Sequence, residues 1–526
     1  MHPLVRVVTA SESAARDASA IAAGVPSRAL MQRAGAAAAA EIALRHRDRL
    51  SGGVLVLAGP GNNGGDAWVV ARALGASGVR VRAIEPVEAK TPDARAECAL
   101  AAGEHDAGVA VESFSPDALD RGEGLVVDGL LGTGAAGAPR GEIAQAIAGV
   151  ARMRRRGAVV AALDVPSGLD ATSGATPGDV AAADLTLTFG TLKRGILANR
   201  DVCGVVVVVD IGLGRHARLG DGAPCLVDEP WVASVIPPIA ATSHKGDRKK
   251  VAFVGGAGGM AGAAILAARA ALRSGVGMVK LVVARESLAS VQQQEPLALA
   301  AAWPGDAADV QRDLVGWADA VVIGPGLGRS SESRECLERV LAGFSGPTLL
   351  DADAITLFEG RARDLAAALG GRPALLTPHP AEFARIASRS VAAVLDERFD
   401  VGARLAAELR ATVLLKGTPT VVSNPDGQRL VSAAGTPALA TAGSGDVLSG
   451  IAGTLLAQIG DPLIAGAAAA WMHGRAAERV PLSPGAGARG VSLDDVVAEL
   501  RDAWTFDERP TRYPVILELP SVGDGR

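Results

Sequence analysis

The sequence predicts an α/β protein of two domains, on three observations. Its 526 residues exceed what one hydrophobic core usually supports. Short runs rich in Val, Leu and Ile alternate with Ala-rich stretches of helical period, the pattern of β-α-β units around a mostly parallel, buried sheet. From about residue 212 to 250 this pattern gives way to Gly, Pro and charge, including Pro230 and Pro237-Pro238, and a domain junction is expected there.

In the first half, strands are expected near Val54–Ala58, Val79–Ile84, Leu125–Asp128, Val159–Leu163, Leu185–Phe189 and Val205–Asp210. In the second half they are expected near Val251–Val254, Met278–Val283, Ala320–Ile323, Thr348–Leu350, Ala374–Leu376 and Thr412–Leu415. From about Asp507 onward, Pro and charge predict a loose tail.

Hydrophobic residues at 49% and charged residues at 21% describe an ordinary globular chain, and 65 glycines imply many tight turns and close packing. A net charge of −5 gives no bulk positive field for nucleic acid or an anionic membrane. Cys98, Cys203, Cys225 and Cys336 lack paired spacing, which argues against a disulfide framework or a structural zinc site. No apolar run approaches the roughly 20 residues that span a bilayer, and the first 20 residues do not read as a secretory signal. A cytoplasmic location is expected.

Three loops of the first half each follow a predicted strand, where an open parallel sheet binds ligands. Gly59-Pro60-Gly61-Asn62-Asn63-Gly64-Gly65-Asp66 offers backbone amides to phosphate, and its Asn pair could grip a ligand or coordinate a monovalent cation, although an Asn-rich turn is the plainer reading. Asp128-Gly129-Leu130-Leu131 leads into Gly132-Thr133-Gly134-Ala135-Ala136-Gly137-Ala138, and Asp164-Val165-Pro166-Ser167 ends the next strand. Either carboxylate alone reads as a strand-end cap, but convergence at one sheet edge favours a site.

GPGNNGGD, VVDGLLGTG, LDVPSGLDATSG and TFGTLKRG, with the early Leu30-Met31-Gln32-Arg33-Ala34-Gly35, closely resemble the NAD(P)H-hydrate epimerase domain over roughly residues 1–215. The resemblance implies a Rossmann-like fold that interconverts the R and S epimers of NADH or NADPH hydrated at C6 of the nicotinamide ring. It implies substrate-binding loops at Asn62, Asn63, Gly64, Gly65 and Asp66 and at Gly132 to Ala138, an acid/base role for Asp164, and K+ at Asn63, Asp128 and Ser167. Ala67-Trp68 stands where the family commonly has glycine.

In the second half, Thr441-Ala442-Gly443-Ser444-Gly445-Asp446 opens an apolar helical pattern. Bare amides at a helix N-terminus favour an anion such as a nucleotide phosphate, and the same dipole is expected to keep Asp446 ionised as a base for a substrate hydroxyl. A tight turn with an Asp cap is the plainer alternative. Gly324-Pro325-Gly326-Leu327-Gly328, Asp351-Ala352-Asp353-Ala354, Thr377-Pro378-His379-Pro380-Ala381-Glu382 and Lys416-Gly417-Thr418-Pro419-Thr420 also follow predicted strands. Together they supply amides, a lysine, a histidine and carboxylates, the parts of a phosphoryl-transfer site without a Walker loop.

These motifs, with Ser243-His244-Lys245-Gly246-Asp247, resemble the ADP-dependent NAD(P)H-hydrate dehydratase domain of the ribokinase-like superfamily over about residues 235–505. That resemblance implies Asp446 as the catalytic carboxylate, with Ala263, Gly326 and His379 lining the hydrated-nucleotide site. It implies an adenine-nucleotide site at Lys416, Gly417, Thr418, Pro419, Thr420 and Gly445, with ADP as co-substrate and Mg2+ on its phosphates. Together the two halves resemble the bifunctional NAD(P)H-hydrate repair enzymes, with residues 216–234 as linker, 506–526 as tail, NADHX and NADPHX as substrates, and a homo-oligomer expected. The alternative for the second half is a vitamin-precursor or sugar kinase, with the first half as a non-catalytic binding module.

Overall fold

In the strand Val54–Ala58 (β1), Val54, Val56 and Ala58 enter one hydrophobic core while Leu55 and Leu57 enter another. That two-sided burial is what a central parallel strand with helices on both faces requires. The computed structural model describes residues 4–103, 108–218, 222–481, 487–506 and 511–522. The chain divides into two compact units, one built on Val5–Ala223 and the other on Pro224–Glu508.

The N-terminal unit continues with β2 (Val81–Glu85), β3 (Val109–Ser113), β4 (Leu125–Gly129), β5 (Val159–Leu163), β6 (Leu185–Phe189) and β7 (Val205–Val209). These seven strands are parallel in the order β3-β2-β1-β4-β5-β6-β7. The order reverses between β1 and β4, the switch point where α/β sheets open a crevice for ligands. Helix α1 (Ala10–Ala22) starts at a capping box made by Thr9 and Glu12, and α2 (Ser27–Arg45) packs on α3 (Asn62–Ala76), the helix that follows β1.

The C-terminal stretch is not a loose tail throughout. Val515–Leu519 forms an edge strand antiparallel to β7, burying Val515, Leu517 and Leu519. Glu518 pairs with Arg45 at 2.7 Å, and Arg200 donates to the Pro520 carbonyl. The segment has the period-2 apolar pattern of a half-buried strand, which its flanking Pro and charge obscured.

The C-terminal unit carries β8 (Lys250–Gly255), β9 (Met278–Val283), β10 (Leu299–Ala302), β11 (Ala320–Ile323), β12 (Thr348–Leu350), β13 (Ala374–Leu376), β14 (Thr412–Leu415), β15 (Thr420–Ser423) and β16 (Arg429–Ser432). Their order is β10-β9-β8-β11-β12-β13-β14-β15-β16, parallel as far as β14 and antiparallel through the β15–β16 hairpin. In β8, Val251 and Phe253 face one core and Ala252 and Val254 the other.

Helices α4 (Ala261–Arg273), α5 (Pro380–Ile386), α6 (Ser444–Ile459) and α7 (Pro462–Arg479) are the ones that bear on the site. Glycines in α6 let backbones touch. A β-carbon on Gly450 would overlap the Ala267 carbonyl of α4, and one on Gly453 would overlap Val322 of β11.

The expected linker 216–234 is partly folded. Asp228 caps a helix at Glu229–Val235 by accepting from the Trp231 amide at 2.9 Å, and Trp231 and Val232 are buried. Among the described residues, no helix is long and apolar enough to cross a membrane.

Two candidate active sites

In the N-terminal unit, a cleft of about 510 Å³ opens at the β1–β4 switch point. Its wall includes Asn62, Asn63 and Asp66 from the start of α3, Gly132 to Ala135 after β4, Asp164 after β5, Lys193, and Asp17 from α1. The first loop is glycine-rich for a steric reason. A β-carbon on Gly59 would overlap the Leu130 carbonyl, and one on Gly64 would overlap the Gly59 carbonyl. Gly64 and Gly65 therefore serve packing, and neither they nor Ala136, Gly137 and Ala138 line the cleft. Ala67 and Trp68 are fully buried on α3, where Ala67 meets Gly129 of β4.

Asp164 takes a left-handed backbone, φ 62°, with its amide donating to the Leu187 carbonyl at 2.7 Å. Such a conformation is uncommon for a non-glycine residue and aims the side chain off the strand end. Its Oδ1 accepts from Lys193 Nζ and, at 3.3 Å, from the Thr188 hydroxyl. Around this ion pair stand two more carboxylates. Burial raises the Asp66 pKa well above the ordinary value, with Asp164 and Asp17 adding to the rise and Lys193 opposing it. Asp17 is raised by burial too, with Lys193 opposing and Asp164 adding to the rise.

Beside the cleft, Asp128 is fully buried. It accepts from Ser167 Oγ at 2.6 Å, the Ser167 amide at 2.8 Å and the Leu130 amide at 3.2 Å. Burial outweighs these bonds and moves its pKa up to about 6. Asn63 donates to the Leu131 and Leu163 carbonyls, each at 3.0 Å, which fixes its amide. Its Oδ1 is left buried without a hydrogen-bond partner. A buried acceptor without a donor is costly, and an oxygen-seeking cation would satisfy it.

In the C-terminal unit the loops after β12 and β14 meet the N-terminus of α6, where a β-carbon on Gly445 would stand 3.2 Å from Lys416 Nζ and 3.7 Å from Asp351 Oδ2. Gly443 caps α6 in the left-handed region, φ 90°, with no side-chain cap. Among the described residues, the Gly445 and Asp446 amides have no acceptor, as an anion hole requires. Asp351 is buried, accepting from Lys416 Nζ at 2.8 Å and from Ser449 Oγ at 2.8 Å. Burial opposes the Lys416 charge, but Asp351, Glu382 and Asp446 together raise its pKa above the ordinary value.

Asp446 corrects the expectation that the helix dipole keeps it ionised. Burial, with Asp351 and Asp353 adding to it and Lys416 opposing, moves its pKa up to about 7. The dipole contributes about 0.3–1 kcal/mol. Moving it from 3.8 to about 7 takes about 4 kcal/mol, so burial and the neighbouring carboxylates outweigh the dipole. A base near neutrality is better matched to proton transfer than a strong acid's conjugate.

Ala263 and Gly326 are adjacent, since a β-carbon on Gly326 would stand 3.0 Å from the Ala263 β-carbon and 2.6 Å from the Met260 carbonyl. α4 approaches the α6 cap through Leu266, whose Cδ1 lies 2.9 Å from where a Gly443 β-carbon would be. His379 caps α5. Its Nδ1 accepts from the Ala381 and Glu382 amides at 3.1 and 3.4 Å, and burial lowers its pKa, with Glu382 opposing. The ring is thus neutral and carries its proton on Nε2. It is half exposed, so it is not a buried structural histidine. The β14 loop joins it through the Lys416 amide, which donates to the Pro378 carbonyl at 2.9 Å. The His244–Asp247 segment is an exposed turn.

Lys193, Asp17 and Ser449 were not singled out as site residues from sequence, and Asp351 was named only as part of the loop after its strand. Lys193 lay inside the quoted TFGTLKRG run and Asp351 inside DADA, whereas Asp17 and Ser449 sit on helices with no local signal. Among the described residues, no group of three or more His, Cys, Asp or Glu is arranged to hold a metal ion.

A family model described as YjeF-related protein N-terminus matches residues 27–195, and one described as NAD(P)H-hydrate dehydratase matches residues 251–499. The chain is similar to the bifunctional NAD(P)H-hydrate repair enzyme of Escherichia coli, 37% identical over 85% of this chain and 84% of the relative. It is similar also to that of Gloeobacter violaceus, 37% identical over 90% and 93%. A solved ADP/ATP-dependent NAD(P)H-hydrate dehydratase from Bacillus subtilis, co-crystallised with ATP and Mg2+, covers 53% of this chain and 96% of its own at 30% identity and a TM-score of 0.47. With both family models matched in order and relatives aligned over most of their length, the chain belongs to the family of bifunctional NAD(P)H-hydrate repair enzymes.

Proposed function

We propose that the N-terminal unit interconverts the R and S epimers of NADHX and NADPHX, and that the C-terminal unit dehydrates the S form at the expense of ADP, giving AMP and phosphate. The observation that supports this reading most is the pairing of family membership over most of the chain with a separate carboxylate–lysine centre in each unit, Asp164–Lys193 and Asp446 with Asp351–Lys416.

For dehydration, Asp446 accepts the proton of the C6 hydroxyl as that oxygen attacks the terminal phosphorus of ADP and AMP departs. The ring nitrogen lone pair then expels phosphate from C6, and loss of the C5 proton restores the ring double bond. Phosphorylation is needed because hydroxide leaves poorly. Lys416, Gly445 and the Asp446 amide supply positive potential where the phosphoryl charge develops. Lys416 to Thr420 and Gly445 hold the nucleotide; Ala263, Gly326 and His379 hold the hydrated ring. Among the described residues no group of acidic side chains is arranged as a cage for Mg2+, so in this reading the donor phosphates would hold the ion, which would supply charge neutralisation there.

For epimerisation, Asp164 removes the C6 hydroxyl proton as the C6–N1 bond breaks, leaving a C6 aldehyde and the electron pair on N1; N1 then re-adds to the other face of that carbonyl and Asp164 returns the proton to the oxygen. The wall residues Asn62, Asn63, Asp66 and Gly132 to Ala135 orient the ring, and Gly64, Gly65 and Ala136 to Ala138 shape these two loops. A potassium ion fits the orphaned Asn63 Oδ1 beside the buried Asp128 and Ser167 oxygens, and when bound it offsets carboxylate charge at the cleft.

The test is incubation of the purified protein with mixed-epimer NADHX and ADP. Complete recovery of reduced-nicotinamide absorbance with one phosphate released per ring is expected. A stable phosphorylated product would instead identify a kinase.

A further inference from the structure

We propose that Lys193 is a positioning residue for epimerisation, clamping one oxygen of Asp164 so that the other alone faces the substrate. The inference rests on Asp164 as the acid/base group and goes beyond it by assigning its two oxygens different work.

Lys193 is 1% exposed. Its ammonium donates to Asp164 Oδ1, to Thr188 Oγ1 at 3.0 Å, to the Phe189 carbonyl at 3.1 Å and to the Thr191 carbonyl at 3.4 Å. Three protons facing four acceptors leave none for a substrate, which argues against Lys193 as a general acid. The Thr188 hydroxyl also reaches Asp164 Oδ1, at 3.3 Å. Oδ2 accepts no hydrogen bond among the described residues and is not among the buried unpartnered atoms, so it is the oxygen open to the cleft. With the backbone of Asp164 held at φ 62°, both ends of the side chain are fixed and a single lone-pair-bearing atom is aimed.

The proposal is tested in the full-length protein by following R-to-S conversion chromatographically without ADP, with thermal melting as the check on folding. In Lys193→Gln, kcat is expected to fall by about 30-fold or more with KM changed by less than about 3-fold, because aim is lost while binding is kept. Asp164→Asn and the double variant should then be equal within about 3-fold, since Lys193 acts only through Asp164. Propylammonium should restore part of the rate to Lys193→Ala by refilling the cation site. Additive losses in the double variant, or a change confined to KM, would overturn the proposal. If the Lys193 variants do not fold, Thr188→Val decides: it loosens Oδ1 without removing the charge, and about a 3–10-fold fall in kcat at constant KM is expected, whereas an unchanged kcat overturns the clamp. An Asp164→Asn enzyme as active as wild type would instead remove the acid/base reading itself.

Discussion

The ammonium of Lys416 lies 2.8 Å from Asp351 Oδ1 and would stand 3.2 Å from a β-carbon placed on Gly445. The cation is therefore pinned against the first turn of α6 from one side by a buried carboxylate, and the residue above it must be small. Gly445→Ala pushes on a side-chain end that can yield, so the protein should stay folded. The KM for ADP is expected to rise about tenfold with little change in that for NADHX, as read from initial rates. An equal rise in both would place Lys416 elsewhere in the reaction.

Asp446 governs the pH dependence of dehydration. With its pKa at about 7, kcat/KM should fall about tenfold per unit below pH 7 and level off above it. The same shift bears on stability. Its folded pKa exceeds the unfolded value of 3.8, so ionising it costs stability progressively from about pH 4 to pH 7 and fully above. Asp446→Asn should therefore be more stable than wild type at pH 8, by up to about 4 kcal/mol, and equal to it near pH 3 if both remain folded. Urea melts at the two pH values check this; a destabilised variant at pH 8 would contradict it.

Ending the chain at Tyr513 removes the strand that pairs with β7, and with it the buried Val515, Leu517 and Leu519. Burial at about 1.5–3 kcal/mol per large apolar side chain puts the loss at several kcal/mol. Calorimetry should show the N-terminal unit melting earlier, accompanied by loss of epimerisation. An unaltered melt would mean that the strand contributes little.

Potassium chloride should raise the melting temperature of the N-terminal unit above that in tetramethylammonium chloride at equal ionic strength, through the partnerless Asn63 Oδ1. Asp128→Asn should abolish the difference. No cation dependence in wild type would exclude the site.

The regular parts of both sheets were legible because Val, Leu and Ile runs such as Val54–Ala58, Val159–Leu163 and Thr412–Leu415 bury on both faces and bear no polar residue inside the sheet except Thr412 at an end. The strands that escaped notice lie at edges or read as something else. β3 is largely exposed, and Leu299–Ala302 has the composition of a helix. Loops at the sheet edge were legible too, since Gly, Pro or Asp directly follow strands such as Val54–Ala58, Val159–Leu163 and Thr348–Leu350. What the chain could not reveal locally is pairing: Lys193 reaches Asp164 across 29 residues, and Lys416 reaches Asp351 across 65. The pKa of Asp446 was likewise out of reach, because burial and the carboxylates of distant loops set it against the dipole of its own helix.

The central claim is a division of labour between two units, and pure R-NADHX supplied with ADP tests it most directly. Wild type should convert all of it to NADH, Asp164→Asn should convert it no faster than it epimerises without enzyme, and adding the S form should restore full dehydration by that variant. Rapid conversion of the R form by Asp164→Asn, or dehydration surviving in Asp446→Asn, would contradict the account.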